Sequence, residues 1–457
     1  LAADDETPAR LEKEGVAVAG TKFTYAVGRL ALWSKNPYLV DDKGQVLLMK
    51  EYGFQDKEKN IMNSSNTIFQ LGSITKQFTA AVILKLEEQG RLKLSDPVSL
   101  YFSNYPNGDR ITIHHLLSHT SGIYNYTDNE VFLKEQATKP ISQEDMISLF
   151  SSKPLQFEPG TEMKYSNSNY MLLGYIIEKI TKESYESFVD NTIFKPLSMK
   201  HSGFDFTGLF SADKAVGYFN INPNSYSKAP GVHSTVSYSA GAMYSNIEDL
   251  LKWHLALLND KIMDAKSKQK AFAPYKNNFG YGWVTDTFFG KEGVYHNGSI
   301  FGFTSNIYRI EEDNTCIILL SNSGTAEIDQ ITKDLLSVVY DRTVKKTNDK
   351  KEISIGKDKL KEYLNTFEFS PQFKMKIFVE EHKIYAQRLG EQDAILLYPF
   401  EEDKFYAKSK DATLEFSKVN STEFNQLTLS QGGKTMVGKK IEIIKGWGII
   451  GSALPNG

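Results

Sequence analysis

Cysteine is nearly absent from this chain of 457 residues, which contains only Cys316. A single thiol cannot close an internal disulfide, so the fold must be stabilised by packing and hydrogen bonds. Cys316 lies in the apolar run 315–320, and we therefore expect a buried, inert thiol rather than a nucleophile. The low cysteine content is compatible both with the cytoplasm and with an exported protein that forms no disulfides.

The chain also lacks long hydrophobic runs and an excess of one charge. No apolar run approaches the ~18 residues of a membrane-spanning helix, so no transmembrane segment is expected. The 53 Lys and Arg residues nearly balance the 56 Asp and Glu residues, for a net charge of -3. Because nucleic-acid binding usually requires a basic excess, nucleic acid is not an expected partner. The length predicts two or three domains.

A polar turn, Gly72-Ser73-Ile74-Thr75-Lys76, stands between two predicted elements. The apolar run 67–71 predicts a strand before it. Apolar residues at helical spacing, ending at Gly90, predict a helix after it. Free N–H groups at a helix N-terminus favour negative charge near the Ser73 hydroxyl, and Lys76 follows one turn later on the same face. This pair could act as nucleophile and proton acceptor, although Ser-x-x-Lys alone is common by chance.

The rest of the chain divides by pattern. Residues 78–200 are mainly helical, with a clear helix over 170–180. Strands and turns are predicted over 281–284, 294–298, 303–310 and 315–320, and covering helices over 247–258 and 331–340. These strands can form one antiparallel sheet. A first hairpin is predicted from residues 38–40 and 46–49, with a turn at 41–44.

The last quarter of the chain has the short alternating strands of a small antiparallel barrel or sandwich. We therefore predict five regions: a segment 1–38 of unclear role, a main domain 39–341, a charged linker 342–355, a β-barrel domain 356–441 and a tail 442–457. The barrel contains no catalytic cluster. It could cap the site or join subunits. The sequence leaves open whether the chain forms a homo-oligomer.

Three polar clusters follow one another along the chain: Ser73-x-x-Lys76, Tyr165-x-Asn167 and His296-Asn297-Gly298. In this order the chain resembles the penicillin-recognising serine hydrolases, in the branch of class C β-lactamases, D-Ala-D-Ala carboxypeptidases, D-aminopeptidases and related esterases. The resemblance extends to further segments between about 39 and 340: 116–122, 157–160, 239–243 with 249–250, and 301–303.

The resemblance implies an α+β fold of the β-lactamase/DD-peptidase type, with an antiparallel sheet flanked by helices and a helical subdomain, followed by a lipocalin-like barrel. It implies acyl transfer to Ser73 and hydrolysis of the acyl-enzyme. Lys76 or Tyr165 must supply the base, because no Gly-x-Ser-x-Gly elbow indicates a conventional triad, and the sequence does not choose between them. Asn167 would hold Lys76 and the substrate amide.

The third cluster is expected on the strand that faces Ser73. His296 would hydrogen-bond Tyr165 or a substrate carboxylate, and Asn297 and Gly298 would contact substrate, with Gly298 allowing close approach. The N–H groups of Ser73 and Ser299 would form the oxyanion hole.

The same cluster departs from the β-lactamase pattern, because His-Asn-Gly replaces Lys-Thr-Gly. A histidine is only partly charged near neutral pH, whereas lysine offers a permanent cation to a drug carboxylate. We therefore predict small peptides or amides as substrates, with D-residues as one option. The alternatives are a carboxylesterase or weak β-lactamase, and an inert binding protein.

Two further interpretations were weighed. His115 and His119, with His114 beside them, have the spacing of a metal pair, but no carboxylate motif accompanies them. We therefore expect no metal and no cofactor. The chain begins at Leu1 without an initiator Met, which led us to expect a processed, exported protein.

Overall fold

Two compact units divide the chain between Val344 and Lys345. The computed structural model describes residues 28–33, 46–221, 226–324, 328–340, 342, 352–370, 373–380, 383–389, 394–407, 412–431 and 434–441. The unit boundary falls within the stretch 342–355 that the sequence indicates as a linker. The predicted turn 41–44 and the tail 442–457 lie outside the described residues.

Twelve α-helices lie within the described residues. They are α1 (Thr75–Glu88), α2 (Ile113–Leu117), α3 (Glu130–Gln136), α4 (Gln143–Ser151), α5 (Asn167–Thr181), α6 (Tyr185–Val189), α7 (Lys195–Leu197), α8 (Ser234–Gly241), α9 (Ile247–Leu258), α10 (Ala265–Phe272), α11 (Ile328–Val339) and α12 (Lys357–Glu362). Short 3-10 turns cover Gly72–Ile74, Val98–Leu100 and Tyr126–Asp128, and a π-helical turn covers Asp190–Phe194.

The strands of the first unit are β1 (Gly28–Trp33), β2 (Val46–Tyr52), β3 (Phe54–Asp56), β4 (Ile61–Met62), β5 (Phe69–Gln70), β6 (Tyr218–Ile221), β7 (Tyr226–Lys228), β8 (Tyr244–Ser245), β9 (Val284–Phe288), β10 (Lys291–Ile300), β11 (Phe303–Ile310) and β12 (Thr315–Ser321). Six of them form an antiparallel sheet in the order β2-β1-β12-β11-β10-β9. The predicted antiparallel sheet is thus confirmed.

Strand β1 lies before residue 39, the predicted start of the main domain. Its residues pair with β2 on one side and with β12 on the other, so Gly28–Trp33 also belong to the sheet. The sequence Gly-Arg-Leu-Ala-Leu-Trp shows no sustained apolar–polar alternation, which is the pattern that predicts a half-exposed strand. A strand between two others is fixed by backbone pairing with both, and this pairing leaves no signature in the local sequence.

Helices cover both faces of the sheet. This explains why the sequence of β12 is apolar without alternation. Ile318 and Leu320 belong to the core between the sheet and helices such as α1 and α9, whereas Ile317 and Leu319 pack with α11 on the other face. A strand buried on both faces has no position for a polar side chain that faces solvent.

Helix α1 is buried on all sides over its first ten residues, Thr75 to Leu84. A helix without a polar face belongs in a core rather than at a surface. Phe78 stacks on Trp253 of α9, with ring centroids 4.1 Å apart, and truncating a buried phenylalanine to alanine typically costs about 3–5 kcal/mol. This packing holds the first turn of α1, and therefore the Ser73 region, in place.

The second unit is a closed antiparallel barrel. Its strands are β13 (Thr366–Ser370), β14 (Phe373–Glu380), β15 (Lys383–Arg388), β16 (Ala394–Glu401), β17 (Lys404–Ala407), β18 (Ala412–Ser417), β19 (Gln426–Gln431) and β20 (Lys434–Ile441). Its core is a cluster of aromatic rings from Tyr363, Phe367, Phe405, Phe416 and Phe424. The predicted C-terminal antiparallel barrel is confirmed.

Candidate active site

Ser73 lies in the 3-10 turn that leads into α1, directly after β5. Strand β5 pairs with β8, and Leu71 N–H donates to the Met243 oxygen over 2.8 Å. Gly72 has φ +57°, and a Cβ there would come within 2.8 Å of the Ser299 backbone nitrogen. Only glycine fits both the backbone angle and the space, and the turn therefore packs directly against β10.

Three of the predicted residues form one hydrogen-bonded chain. Tyr165 Oη donates to Ser73 Oγ over 2.8 Å, and Lys76 Nζ lies 3.0 Å from the same oxygen. Ser73 is half-buried, whereas Lys76 is fully buried. The serine hydroxyl is thus bracketed by a phenol and an amine, while it stays accessible.

Lys76 Nζ has two further partners, both carbonyl oxygens: Asn167 Oδ1 at 2.8 Å and the Ala240 oxygen at 2.8 Å. Burial lowers the pKa of Lys76 well below its usual value. A neutral amine has two N–H groups and one lone pair. If both N–H groups bond the carbonyl oxygens, the lone pair faces the Ser73 hydroxyl.

Burial shifts Tyr165 in the opposite direction, raising its pKa above the usual value, and the bond to Ser73 opposes this only in part. The phenol is therefore neutral at ordinary pH and available as a hydrogen-bond donor. Its ring also lies 4.9 Å from Lys76 Nζ.

Asn167 is oriented by two residues that the sequence analysis missed. Its backbone N–H donates to Asn125 Oδ1 over 2.9 Å, and its side-chain Nδ2 donates to Thr127 Oγ1 over 3.0 Å. With Nδ2 held by Thr127, Oδ1 faces Lys76. Asn125 lies just before the 3-10 turn Tyr126–Asp128 and Thr127 lies within it, about forty positions before Asn167, and no spacing or motif marks them.

His296 lies on β10 with 3% of its surface exposed, its ring centroid 6.3 Å from that of Tyr165. Nδ1 lies 2.6 Å from the Asn297 carbonyl oxygen, which can only accept, so Nδ1 carries the proton and Nε2 presents a lone pair. Nε2 is buried and has no partner among the described residues.

The surroundings of His296 make its ring neutral, whereas the sequence predicts a partly charged ring. Burial, and secondly the charge of Lys76, lower the pKa of His296 to about 3. The ring is therefore neutral near pH 7, not partly charged as the sequence analysis expects. That expectation rested on an unperturbed imidazole, since neither burial nor the proximity of Lys76 can be read from a His-x-Gly pattern. A neutral lone pair accepts an N–H or O–H group and offers nothing to a carboxylate.

The remaining predicted residues lie on the same strand. A Cβ on Gly298 would overlap the Leu71 carbonyl oxygen, which also accepts a bond from Ser305 Oγ at 2.7 Å. The absence of a side chain thus allows β10 to contact the turn that carries Ser73. Asn297 and Ser299 are exposed, and Asn297 Nδ2 lies 3.4 Å from Asp329 on α11.

The histidines weighed as metal ligands make other contacts. His114 Nδ1 lies 2.7 Å from Tyr281 Oη, and His115 Nδ1 accepts from Thr112 N–H as part of the α2 cap. Among the described residues, no group of three or more His, Cys, Asp or Glu side chains is arranged to hold a metal ion. Cys316 is buried as predicted, and burial raises its pKa to about 12.

Residues 38–339 match the Beta-lactamase family. PbpX of Bacillus subtilis (strain 168), whose name places it among penicillin-binding proteins, is 33% identical over 300 residues, covering 65% of this chain and 73% of PbpX. Protein flp of Staphylococcus aureus is 32% identical over 311 residues, covering 65% of this chain, which spans 61% of the length of flp.

Two solved structures share the fold. The octameric penicillin-binding protein homologue from Pyrococcus abyssi has a TM-score of 0.62 at 24% identity and covers 94% of this chain and 98% of its own. D-amino acid amidase from Ochrobactrum anthropi SV3, in complex with L-phenylalanine, has a TM-score of 0.63 at 22% identity, with 74% and 99% covered. The similarity to the Pyrococcus abyssi protein therefore extends beyond the first unit of this chain.

The family match and the β-lactamase fold together define a serine hydrolase. The chain belongs to the Beta-lactamase family. In the described part of the chain, no helix combines the length and the apolar character that crossing a membrane requires.

Proposed function

We propose that this chain hydrolyses small amides or short peptides through an acyl-enzyme on Ser73. The observation that carries the proposal is the hydrogen-bonded chain from Tyr165 to Ser73 to Lys76, with distances of 2.8 and 3.0 Å. A serine hydroxyl becomes an effective nucleophile when a base removes its proton during attack. These contacts also argue against an inert binding protein, because they surround an accessible hydroxyl with proton-transfer groups.

Lys76 is the base in this proposal. Its lowered pKa allows the neutral amine, whereas the raised pKa of Tyr165 opposes a phenolate. The Ser73 proton passes to Lys76 Nζ while Oγ bonds to the substrate carbonyl carbon. The N–H groups of Ser73 and Ser299 stabilise the resulting oxyanion, a contribution of roughly 3 kcal/mol for each donor.

Tyr165 serves the leaving group. As the C–N bond breaks, the phenol gives its proton to the amine nitrogen, and the Lys76 ammonium returns a proton to Tyr165. Water then attacks the acyl carbon while Lys76 or Tyr165 takes the water proton. The bond from that carbon to Ser73 Oγ breaks, and the same group returns the proton to Oγ as the acid product leaves. Asn167 keeps the Lys76 amine directed toward Ser73 throughout.

The substrate class follows from the third cluster. The neutral Nε2 of His296 can accept an N–H from a substrate amide or the O–H of Tyr165, but it provides no cation for a carboxylate. This favours amides over β-lactam drugs and over peptides that end in a carboxylate near the site. The fold shared with D-amino acid amidase supports small amides, including those of D-residues.

The test is covalent labelling followed by substrate comparison. Wild type and Ser73→Ala are incubated with a fluorophosphonate or a fluorescent penicillin, and adducts are counted by intact-mass spectrometry. We expect one adduct on the wild type only. Turnover is then compared for D- and L-amino acid amides, p-nitrophenyl acetate and a penicillin, and we expect the amides to be preferred. A folded wild type that forms no adduct would overturn the proposal.

A faster reaction with esters or penicillin would leave the nucleophile in place but assign the carboxylesterase or β-lactamase alternative.

For assembly we infer a homo-oligomer, since the homologue that matches both units is described as octameric. Light scattering on the full chain measures this directly. Export stays a prediction.

A further inference from the structure

His119 is a buried histidine beside the site that the proposed chemistry does not use. It follows α2 and is 1% exposed, with φ +57°. A left-handed backbone is uncommon for any residue but glycine, and such conformations persist where the surroundings enforce them. The sequence places His119 in the segment 116–122 and at the spacing of a metal pair with His115.

The contacts of His119 concentrate on the segment that carries Tyr165. Its backbone oxygen accepts from Lys164 N–H over 3.0 Å, and its ring Nδ1 accepts from Ser166 N–H over 3.2 Å. Its ring packs on the Tyr165 ring, with centroids 4.5 Å apart and planes tilted by 31°. One residue therefore holds the positions immediately before and after Tyr165, and the tyrosine ring itself.

This support matters because Tyr165 precedes α5 and lies outside any helix or strand. The phenol must nevertheless stay within hydrogen-bond reach of Ser73 Oγ. The ring of Phe279 lies 6.1 Å from that of Tyr165 and 5.9 Å from that of His119, which completes an aromatic packing group.

The bond from Ser166 fixes the protonation of the imidazole. A nitrogen that accepts an N–H carries no proton, so Nδ1 is the unprotonated nitrogen. Burial, followed by the charges of Lys76 and His296, lowers the pKa of His119 well below its usual value, which agrees with a neutral ring.

We propose that His119 is a positioning residue for Tyr165: its Nδ1, backbone oxygen and ring hold the phenol against Ser73. This inference rests on the proposed function, in which Tyr165 and Ser73 act together. It assigns the histidine of the Leu-Leu-Ser-His-Thr-Ser-Gly segment to the reaction geometry and removes it from the set of candidate metal ligands.

The experiment measures turnover of an amino acid amide, whose amine leaving group takes the Tyr165 proton in the proposed function, with kcat and KM determined separately, for wild type, His119→Ala and His119→Asn, each also in a Tyr165→Phe background. Asparagine tolerates a positive φ, and its side-chain oxygen can replace the Nδ1 acceptor. A displacement of about 1 Å can cost on the order of 100-fold in rate. We therefore expect His119→Ala to lower kcat by about 100-fold with KM unchanged, and His119→Asn to stay within about tenfold of wild type.

The Tyr165→Phe background separates positioning from general destabilisation. If His119 acts through Tyr165, His119→Ala has little further effect once the phenol is gone. An equal loss in both backgrounds, or no loss in either, would overturn the inference. His115→Ala is the matched control, because it removes a histidine of the same segment whose Nδ1 bonds Thr112 instead, and kcat should not change.

If the proposed function itself is wrong, labelling with a fluorophosphonate gives a different result. In that case the wild type itself forms no adduct, while all variants remain folded by circular dichroism. If His119→Ala does not fold, the comparison of His119→Asn with wild type in both backgrounds decides, with a coupled loss supporting the inference and an uncoupled one contradicting it.

Discussion

Lys76 Nζ donates to the backbone oxygen of Ala240 over 2.8 Å, joining the first turn of α1 to α8. Ala240 follows a backbone kink at Tyr238, whose φ of 33° and ψ of -131° interrupt the helix. The neighbouring Ser239 oxygen accepts from Thr79 Oγ1 over 2.7 Å. Two successive carbonyl groups thus face α1, and one of them takes an N–H of the proposed base.

Replacing that base should abolish acylation while stabilising the fold. Lys76→Met should lower the acylation rate by at least about 10²–10⁴-fold, the usual contribution of a general base. Because the folded-state pKa of Lys76 is lowered, the unfolded state binds more protons, and burial of Lys76 costs stability that is recovered only as pH rises toward the unfolded pKa. Lys76→Met should therefore raise the free energy of unfolding at neutral pH, measured by urea denaturation. A variant that is inactive and also less stable would contradict this.

The acylation rate of the wild type should depend on the protonation state of Lys76. The rate should rise with pH as Lys76 loses its proton and then level, since Tyr165 stays neutral across the range. The profile is measured by single-turnover labelling. A rate that falls as Lys76 deprotonates would point to Tyr165 as the base instead.

His296 should not set a titration near neutral pH. Because its pKa is lowered to about 3, His296→Gln should lower the rate without moving the limbs of the pH profile between about pH 5 and 8. Its effect on stability has a defined sign: the unfolded ring takes up a proton below about pH 6.5, so stability is lost as pH falls from there toward 3. His296→Gln should weaken that acid dependence. A shift of the rate profile near pH 7 would contradict the burial argument.

Thr127 should affect rate through Asn167. In Thr127→Val the shape is kept, but Asn167 Nδ2 loses its acceptor, and its amide is then free to turn away from Lys76. We expect roughly a tenfold loss in acylation rate, consistent with a lost hydrogen bond of about 1 kcal/mol or more. Thr127→Ser, which keeps the hydroxyl, is the control and should behave like wild type. Equal losses in both variants would assign Thr127 a packing role only.

Gly298→Ala should separate β10 from the Ser73 turn. Its methyl group would overlap the Leu71 carbonyl oxygen, and overpacking of this kind typically costs about 1–3 kcal/mol. Activity should fall further than stability, because the Ser299 N–H moves with the strand. Gly324→Ala is the control: its added carbon would meet nothing closer than 3.4 Å. Thermal unfolding and labelling rate are compared for both.

The sequence predicted most helices and strands whose own residues form a recognisable pattern. It predicted fewer of the features whose position depends on contacts with distant segments. Helix α9 and strand β11 have the predicted bounds, because their periodicity is set by their own burial. Strand β1 and residues Asn125 and Thr127 were not predicted, since their places come from pairing with distant segments. The motif residues Ser73, Lys76, Tyr165 and Asn167 lie together, but their ionisation follows from burial, which no spacing encodes.

The strand order of the sheet has a consequence for how the chain acquires its structure. Strand β1 pairs with β12, so that Gly28 lies opposite Ser321, whereas the barrel strands pair mostly with their neighbours in sequence. Pairing of distant segments slows folding, and unpaired edges are exposed in the meantime. During synthesis strand β1 cannot pair along its whole length with β12 until the ribosome has released residues up to Ser321. We therefore expect the hydrolase unit, not the barrel, to limit the folding rate and to be the part most prone to aggregate before it is complete.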